Sequence, residues 1–353
     1  MSACAANEIS QPTEAPPVDT TTTVAPLSGT LNAGGSSAQT AAQDAWRSAF
    51  QGDNSGVTVN YDPVGSGAGR TGFVSGGFAV TGTDDPFSIE DLATEDFALC
   101  SSSDVVEVPV YISPIAFAFN LPGITSVNLD AATAAKIMTG GIKKWDDAAI
   151  AALNPGVELP STAITAVHRS DKSGTTGNVS EYLSKAAPDA WTFGRTETWP
   201  DDLKGEAAEK TQGVVTAIKS ANGAFGYIDA SQATDLGVAH LINAGSPVAP
   251  TAEAATKTLA ASSLQPGRAA TDLAFDVART PDDPTAYPMI MVSYLVACGQ
   301  YKDATTGALV AAYLAHVVSA GGQQAAAANA GSAPLSVDAA LLAKVAAAVD
   351  TIS

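Results

Sequence analysis

From Leu31 onward, short apolar runs alternate with Ala-rich stretches of helical spacing, and loops of Gly, Ser, Asp and Pro separate them. Strands are predicted at 57–61, 78–82, 106–121, 164–169, 224–228 and 289–297, where β-branched or aromatic residues cluster between turn formers. Helices are predicted at 38–50, 131–138, 146–153, 176–186, 213–221 and 308–319. In the last of these Leu309, Tyr313 and Val317 recur every four residues and so share a face, with His316 beside them as a structural histidine. Asp130, just ahead of the second helix, is placed to cap it. Strands alternating with helices predict α/β layers with largely parallel pairing.

Composition narrows the function classes. A chain of 353 residues with 46% hydrophobic positions is long enough for two cored domains. No apolar, uncharged run approaches the roughly 18 residues that a membrane span needs. Thirty-six Asp and Glu against 17 Lys and Arg give a net charge of −19, which repels polyanions and sets nucleic acid aside as a partner. His168, His240 and His316 are scattered and no Cys-x-x-Cys or His-Glu-x-x-His spacing occurs, so no metal site and no cofactor are expected.

The N-terminus has its own signature. Residues 5 to about 27 carry Pro12, Pro16, Pro17, Pro26 and the run Thr20 to Thr23, too little apolar surface to offset ordering entropy, and read as a flexible tether. Ser2-Ala3-Cys4 resembles the end of a bacterial lipoprotein signal, with Met1 where that box has Leu. The resemblance implies a lipid on Cys4 and an exported protein anchored on the outer face of the cytoplasmic membrane; the alternative is an incidental cysteine. Export would make Cys100 and Cys298 a candidate disulfide, with two separate buried thiols as the alternative.

Four loops of small residues and hydroxyls flank predicted strands and helices: Asn32-Ala33-Gly34-Gly35-Ser36-Ser37, Gly65-Ser66-Gly67-Ala68-Gly69-Arg70, Thr81-Gly82-Thr83-Asp84-Asp85-Pro86, and His168 through Thr176. Helix N-termini present unpaired N–H groups and a positive dipole end, so several converging on one point would hold a small anion despite the net negative charge. For any single loop the plainer account is a glycine-rich turn or a helix cap. Gly65 to Gly69 lacks the full dinucleotide fingerprint, and Lys172-Ser173 lacks the upstream Gly of a phosphate-binding P-loop. Arg169 and Asp171, two apart at a strand end, point to the same side, so the carboxylate can aim the guanidinium at an oxyanion; otherwise they form an ordinary surface pair. Asp84 would repel an anion unless that anion brings a proton.

Ala-Val-His-Arg-Ser-Asp-Lys-Ser-Gly-Thr-Thr, residues 166–176, resembles the signature of the phosphate-binding protein of the bacterial high-affinity phosphate ABC transporter. Supporting matches follow in order: Gly65-Ser66-Gly67-Ala68-Gly69, Gly82-Thr83-Asp84-Asp85-Pro86, Gly141-Ile142-Lys143-Lys144-Trp145-Asp146-Asp147, Leu153-Asn154-Pro155-Gly156 and Gly223-Ala224-Phe225-Gly226-Tyr227-Ile228. The resemblance implies an α/β periplasmic-binding-protein type II fold, two domains joined by two hinge crossovers with inorganic phosphate in the cleft. Domain I would comprise 28–111 plus 289–353, domain II 112–288, and 1–27 the lipoprotein-type start and tether. It also implies phosphate contacts at Ser36, Ser37, Ser66, Asp84, Arg169, Ser173, Gly174 and Thr175, with Asp171 positioning Arg169. Ser36-Ser37 stands where the family has Thr-Phe, and Lys172 replaces a Gly. Ionised Asp84 would accept the P–OH proton and so exclude sulfate, which has none.

Such a protein is expected to be a monomer without catalytic residues that delivers phosphate to the transporter's membrane subunits. Two alternatives stay open: a receptor for another protonated oxyanion such as arsenate, and a phosphoryl-transfer enzyme or phosphatase using Ser173. The second lacks a clustered metal set, and its one nearby base, His168, should face away from Arg169 along the strand.

Overall fold

The computed structural model describes residues 26–353. The expectations on Cys4 and on the tether through residue 25 lie outside the described residues.

The chain runs β1 (Gly29–Gly35), α1 (Thr40–Asp53), β2 (Val57–Asp62), α2 (Ser66–Val74), β3 (Val80–Thr83) and α3 (Ile89–Thr94) before the long strand β4 (Val105–Phe119). It continues through β5 (Ser126–Leu129), α4 (Ala131–Met138), α5 (Ala148–Leu153), β6 (Thr165–Arg169), α6 (Gly174–Ala186), β7 (Glu206–Ala208), α7 (Lys210–Ser220), β8 (Ala224–Asp229), β9 (Gly237–Asn243), β10 (Ser246–Val248) and α8 (Ala252–Ala260). The short strands β11 (Ser263–Leu264) and β12 (Phe275–Asp276) pair with each other. Then β13 (Ile290–Cys298) leads into α9 (Ala304–Val318), α10 (Ala320–Ala330) and α11 (Ala339–Val349).

β4 organises the molecule. Its residues 105–114 pair with β13, and residues 115–119 turn to β8 and β9. The first half of the sheet is therefore β2-β1-β3-β13-β4, and the second is built on β4, β8, β6 and β7 with β9, β10 and β5 alongside. Every residue of β4 and β13 is buried, which is why both read as continuous apolar runs rather than alternating ones. Pro109 has no N–H for the ladder, and the register shifts opposite it between Ser293 and Tyr294, leaving Val110 unmatched in a bulge.

The expectation of largely parallel pairing is corrected. β1 with β2 and β3, β6 with β7 and β8, and β5 with β9 are parallel, but β13 is antiparallel to both β3 and β4, and β4 to β8 and β9. The cause is topological: the chain enters the second half along β4 and returns along β13, so the two crossovers run in opposite directions.

Local chemistry sets the helix boundaries. Asp130 caps α4, its Oδ1 accepting the Thr133 N–H at 2.7 Å, and Ser173 caps α6 through Thr176 at 3.3 Å. Leu309, Tyr313 and Val317 are all buried on one face of α9, and His316 packs against Phe50. Cys100 and Cys298 form a disulfide with Cα atoms 5.2 Å apart, which resolves the alternative left open by the sequence.

Candidate functional site

All four anion-type loops meet where β1, β3 and β6 end. The Ser36 N–H donates to Gly82 O at 2.8 Å, joining the first loop to the third, and the Gly65 N–H donates to Gly35 O at 2.8 Å, joining the second to the first. The fourth loop closes from the other half of the sheet: the Gly67 N–H reaches Lys172 O at 3.2 Å. Gly174 opens α6 so tightly against this cluster that a Cβ on it would stand 2.8 Å from Ser66 Oγ and 2.9 Å from the Asp85 nitrogen. The starts of α2 and α6, and the single 3-10 turn (Ser37–Gln39) ahead of α1, thus point into one small volume.

Asp84 is buried at the centre. One of its carboxylate oxygens accepts the Ser36 hydroxyl and the other the Ser293 hydroxyl at 2.5 Å. Its backbone is held as well, the N–H donating to Ser66 Oγ at 3.2 Å and the carbonyl accepting Asn178 Nδ2 at 2.7 Å. Burial raises the Asp84 carboxyl above its ordinary range; the hydrogen bonds from Ser293 and Ser36 and the charges of Arg169 and Arg70 pull the other way.

Arg169 lies at the end of β6. Its Nε donates to Asp171 Oδ1 at 2.7 Å and its Nη2 to the other oxygen, a two-point clamp. Burial acts to raise the Asp171 carboxyl, but the hydrogen bond and charge of Arg169 outweigh it and hold it below its usual range. The Lys210 N–H adds a third donor to Asp171 at 3.0 Å, and Tyr227 fixes the Arg169 backbone at 3.1 Å. His168 faces away as expected, stacked on Trp199 with ring centroids 4.8 Å apart.

The eight residues and Asp171 singled out from sequence are brought together here, seven of the eight from the loops' own cores and Ser37 at the edge, its Oγ 3.0 Å from Thr211 Oγ1 at the start of α7. Lys172 is exposed and lies 3.4 Å from Glu197. Sequence reasoning missed Ser293, a single hydroxyl inside the apolar run of β13, and it missed Asn178, Thr211 and Glu197, while Arg70 was named in the second loop without a role. The signal for Asn178 was its place one turn after Gly174 on the same helix; for Ser293 no local pattern marks it.

A bilobal α/β fold with helix N-termini gathered in the cleft between two halves of a curled sheet is the periplasmic-binding-protein type II fold. Solved structures agree on that fold. A high affinity periplasmic phosphate-binding protein, PfluDING, bound with phosphate, superposes with a TM-score of 0.70 at 22% identity, covering 90% of this chain and 93% of its own. The phosphate-binding protein from Stenotrophomonas maltophilia gives 0.67 at 20% identity, with 90% and 93% covered. Residues 20–320 match the family described as the PBP superfamily domain. Phosphate-binding protein PstS 2 of Mycobacterium tuberculosis (strain ATCC 25618 / H37Rv) is 35% identical over 329 residues, 92% of this chain and 87% of the relative. PstS 3 of Mycobacterium leprae (strain TN) is 35% identical over 298 residues, 83% and 79% respectively. This chain belongs to the PstS family of phosphate-binding proteins.

Proposed function

We propose that the chain captures one inorganic phosphate between its two halves outside the cytoplasm and delivers it to the membrane subunits of an ABC transporter. The observation that carries this reading is a buried carboxylate, Asp84, set among donors that face an anion. Its oxygens each accept one hydroxyl, from Ser36 and Ser293, and each keeps a lone pair for a further donor. Ser66 and Ser173 have their acceptor roles filled by the N–H groups of Asp84 and Thr176, which leaves both hydroxyl protons for phosphate oxygens. Gly174 and Thr175 offer first-turn N–H groups of α6, which have no partner within the helix. Arg169, aimed by Asp171, supplies the full positive charge. Ser36 acts through Asp84, and Ser37 contributes its backbone N–H.

Discrimination follows from counting. Phosphate near neutral pH keeps a proton and donates it to Asp84; sulfate sets an oxygen lone pair against a carboxylate in a dry site. An unsatisfied buried group costs ~1–3 kcal/mol and a charged one more. Arsenate carries the same proton and is expected to compete.

We assign 28–111 plus 289–353 to the first domain and 112–288 to the second. The change of partner along β4 supports the hinge, although residues 271–273 of the second stretch hydrogen-bond back to Glu107 in the first half. A lipid on Cys4 would tether the protein to the membrane surface; lipid labelling of the exported protein, lost in Cys4→Ala, tests that.

The protein acts by binding rather than turnover. His168, the base a serine nucleophile would need, points away from the ligand loops, its ring stacked on Trp199 and its Nδ1 held by the Arg169 carbonyl at 3.0 Å. Equilibrium dialysis of stripped protein against labelled phosphate should retain one ion per chain, and phenyl phosphate should remain unhydrolysed. Hydrolysis that Ser173→Ala abolishes would replace this reading with the phosphatase one.

A further inference from the structure

Beside the anion loops, two ion pairs bridge the halves of the molecule, and no member of either belongs to the set assigned to the ligand. Arg70 Nη2 donates to both carboxylate oxygens of Glu197, each at 2.6 Å. Arg195 pairs with Asp85. Arg70 and Asp85 belong to the first half, on α2 and just after β3, while Arg195 and Glu197 lie between α6 and β7 in the second.

Both ends of the first pair are fixed posts tied to ligand loops. Within its own half, Arg70 Nη1 donates to Thr83 Oγ1 at 2.9 Å and to Asp85 O at 2.6 Å, and the guanidinium stands 5.9 Å over the Phe87 ring. It lies about one helical turn along α2 from Ser66. Glu197 accepts the Ser173 N–H on its backbone oxygen at 2.9 Å. Asp85 directly follows Asp84. Opening the cleft must therefore break the Arg70–Glu197 pair while leaving each partner in place on its own half.

The pair is also dry. The Arg70 and Glu197 side chains are only 8% and 12% exposed, and parting the halves returns both charges to water. Burying two charges carries a desolvation cost, which a forked contact and neighbouring opposite charges must offset. Lys172 beside Glu197, and Arg195 on Asp85, supply those neighbours. Space is reserved for them: a Cβ on Gly177 of α6 would stand 2.9 Å from Asp85 Oδ2 and 3.3 Å from Glu197 Cγ.

We propose that the Arg70–Glu197 pair, backed by Asp85–Arg195, is a latch that holds the halves closed over the ligand and sets how slowly it leaves. The proposal rests on the phosphate-capture reading above. These are positioning residues, since they act on the ligand through closure without touching it. A contact made only in the closed form shifts the open-to-closed equilibrium by its own free energy and slows release, with little effect on encounter.

The test is the rate of phosphate release, measured by chasing labelled phosphate from wild type, Glu197→Gln and Gly177→Ala, with association rates and melting temperatures alongside. Both variants should release roughly tenfold faster or more, with association changed by less than about twofold. Melting of the ligand-free protein should be unchanged, while the rise in melting temperature on adding phosphate shrinks. Unchanged release in both variants would overturn the latch. So would a ligand-free melting temperature that falls as far as the ligand-bound one, the mark of a merely structural pair. If wild type itself fails to bind phosphate, the capture reading falls and the latch with it.

Discussion

A carboxylate costs most where it is driest, and this protein places several in dry positions for different ends. Asp84 faces the ligand volume. Asp229 lies under it, where β4 crosses between halves, accepting the Ser113 hydroxyl at 2.6 Å on one oxygen and the Ser231 N–H at 2.9 Å on the other. Burial pushes the Asp229 carboxyl up to about 6, against the pull of those hydrogen bonds and with the Asp84 charge adding to the rise. The folded protein therefore holds this proton at a pH where an unfolded Asp, with a pKa of about 3.9, has lost it. The stabilisation it provides is complete below that lower value and is lost as pH rises through about 6. Asp229→Asn stays neutral throughout, so relative to wild type it should gain about 2 kcal/mol in unfolding free energy between roughly pH 4 and pH 7. Denaturant unfolding of both proteins in phosphate-free buffer checks this; a difference that stays flat with pH contradicts it. At this scale the sequence was informative where residues act through neighbours in the chain. Arg169 and Asp171 are two apart on a strand end, and Asp84 sits in a short loop, so motif and periodicity found them. Ser293 lies 209 residues from Asp84 and inside an apolar strand, so only the folded chain brings its hydroxyl there.

Elements turn these residues into a site by where they begin. Gly65 is the N-cap of α2 with φ of +96°, in the region that favours glycine, and a Cβ there would fall 2.6 Å from Asp171 Oδ2 and 3.4 Å from Arg169 Nη2. Gly65→Ala should strain the cap and push the carboxylate off the guanidinium, weakening phosphate binding by roughly tenfold or more. Calorimetry on the variant measures this, and wild-type affinity would show that the clamp is not what aims Arg169. The strongly patterned elements were legible: the helix 131–138 is observed at Ala131–Met138, and the buried crossovers at 106–121 and 289–297 are β4 and β13. α2 was not, because its glycines read as loop, and their function is close approach rather than helix propensity. α10 and α11 are so rich in Ala that no apolar face stands out. β9 alternates buried and half-buried residues, yet Gly237 and His240 dilute the pattern.

For the whole molecule, net charge and anion binding are decided at different ranges. The chain carries −19, but the site's field comes from helix ends, oriented hydroxyls and one arginine within a few ångströms. The Cys100–Cys298 disulfide, closing a sequence separation of 198, belongs to the same scale. Its presence accords with a protein exported to an oxidising compartment. Cys298 ends β13 five residues beyond Ser293, about 17 Å along a strand, so the bond braces the first half well away from the ligand loops. Reducing it, or the Cys100→Ala/Cys298→Ala pair, should lower unfolding free energy by about 2–4 kcal/mol and leave phosphate affinity within about twofold. A large affinity loss would mean that the bond shapes the site itself. Sequence could raise this pairing only as one of two options, because nothing local reports a contact across so long a stretch. Fold class and the existence of a cleft were legible from ordered motifs, whereas the antiparallel crossovers and the cross-cleft ion pairs depend on how the chain returns.

Asp84 selects the ligand by accepting a hydrogen bond from its P–OH group. Calorimetric titration of phosphate-stripped protein with phosphate and then with sulfate, at one pH and ionic strength, on wild type and Asp84→Asn, tests it most directly. Wild type should bind one phosphate tightly and leave sulfate silent. The variant, now able to donate at that position, should lose at least about tenfold of the phosphate-to-sulfate preference. Equal preference in both proteins would mean that Asp84 does not discriminate between the ions, and sulfate binding to wild type as tightly as phosphate would mean that the site makes no such distinction.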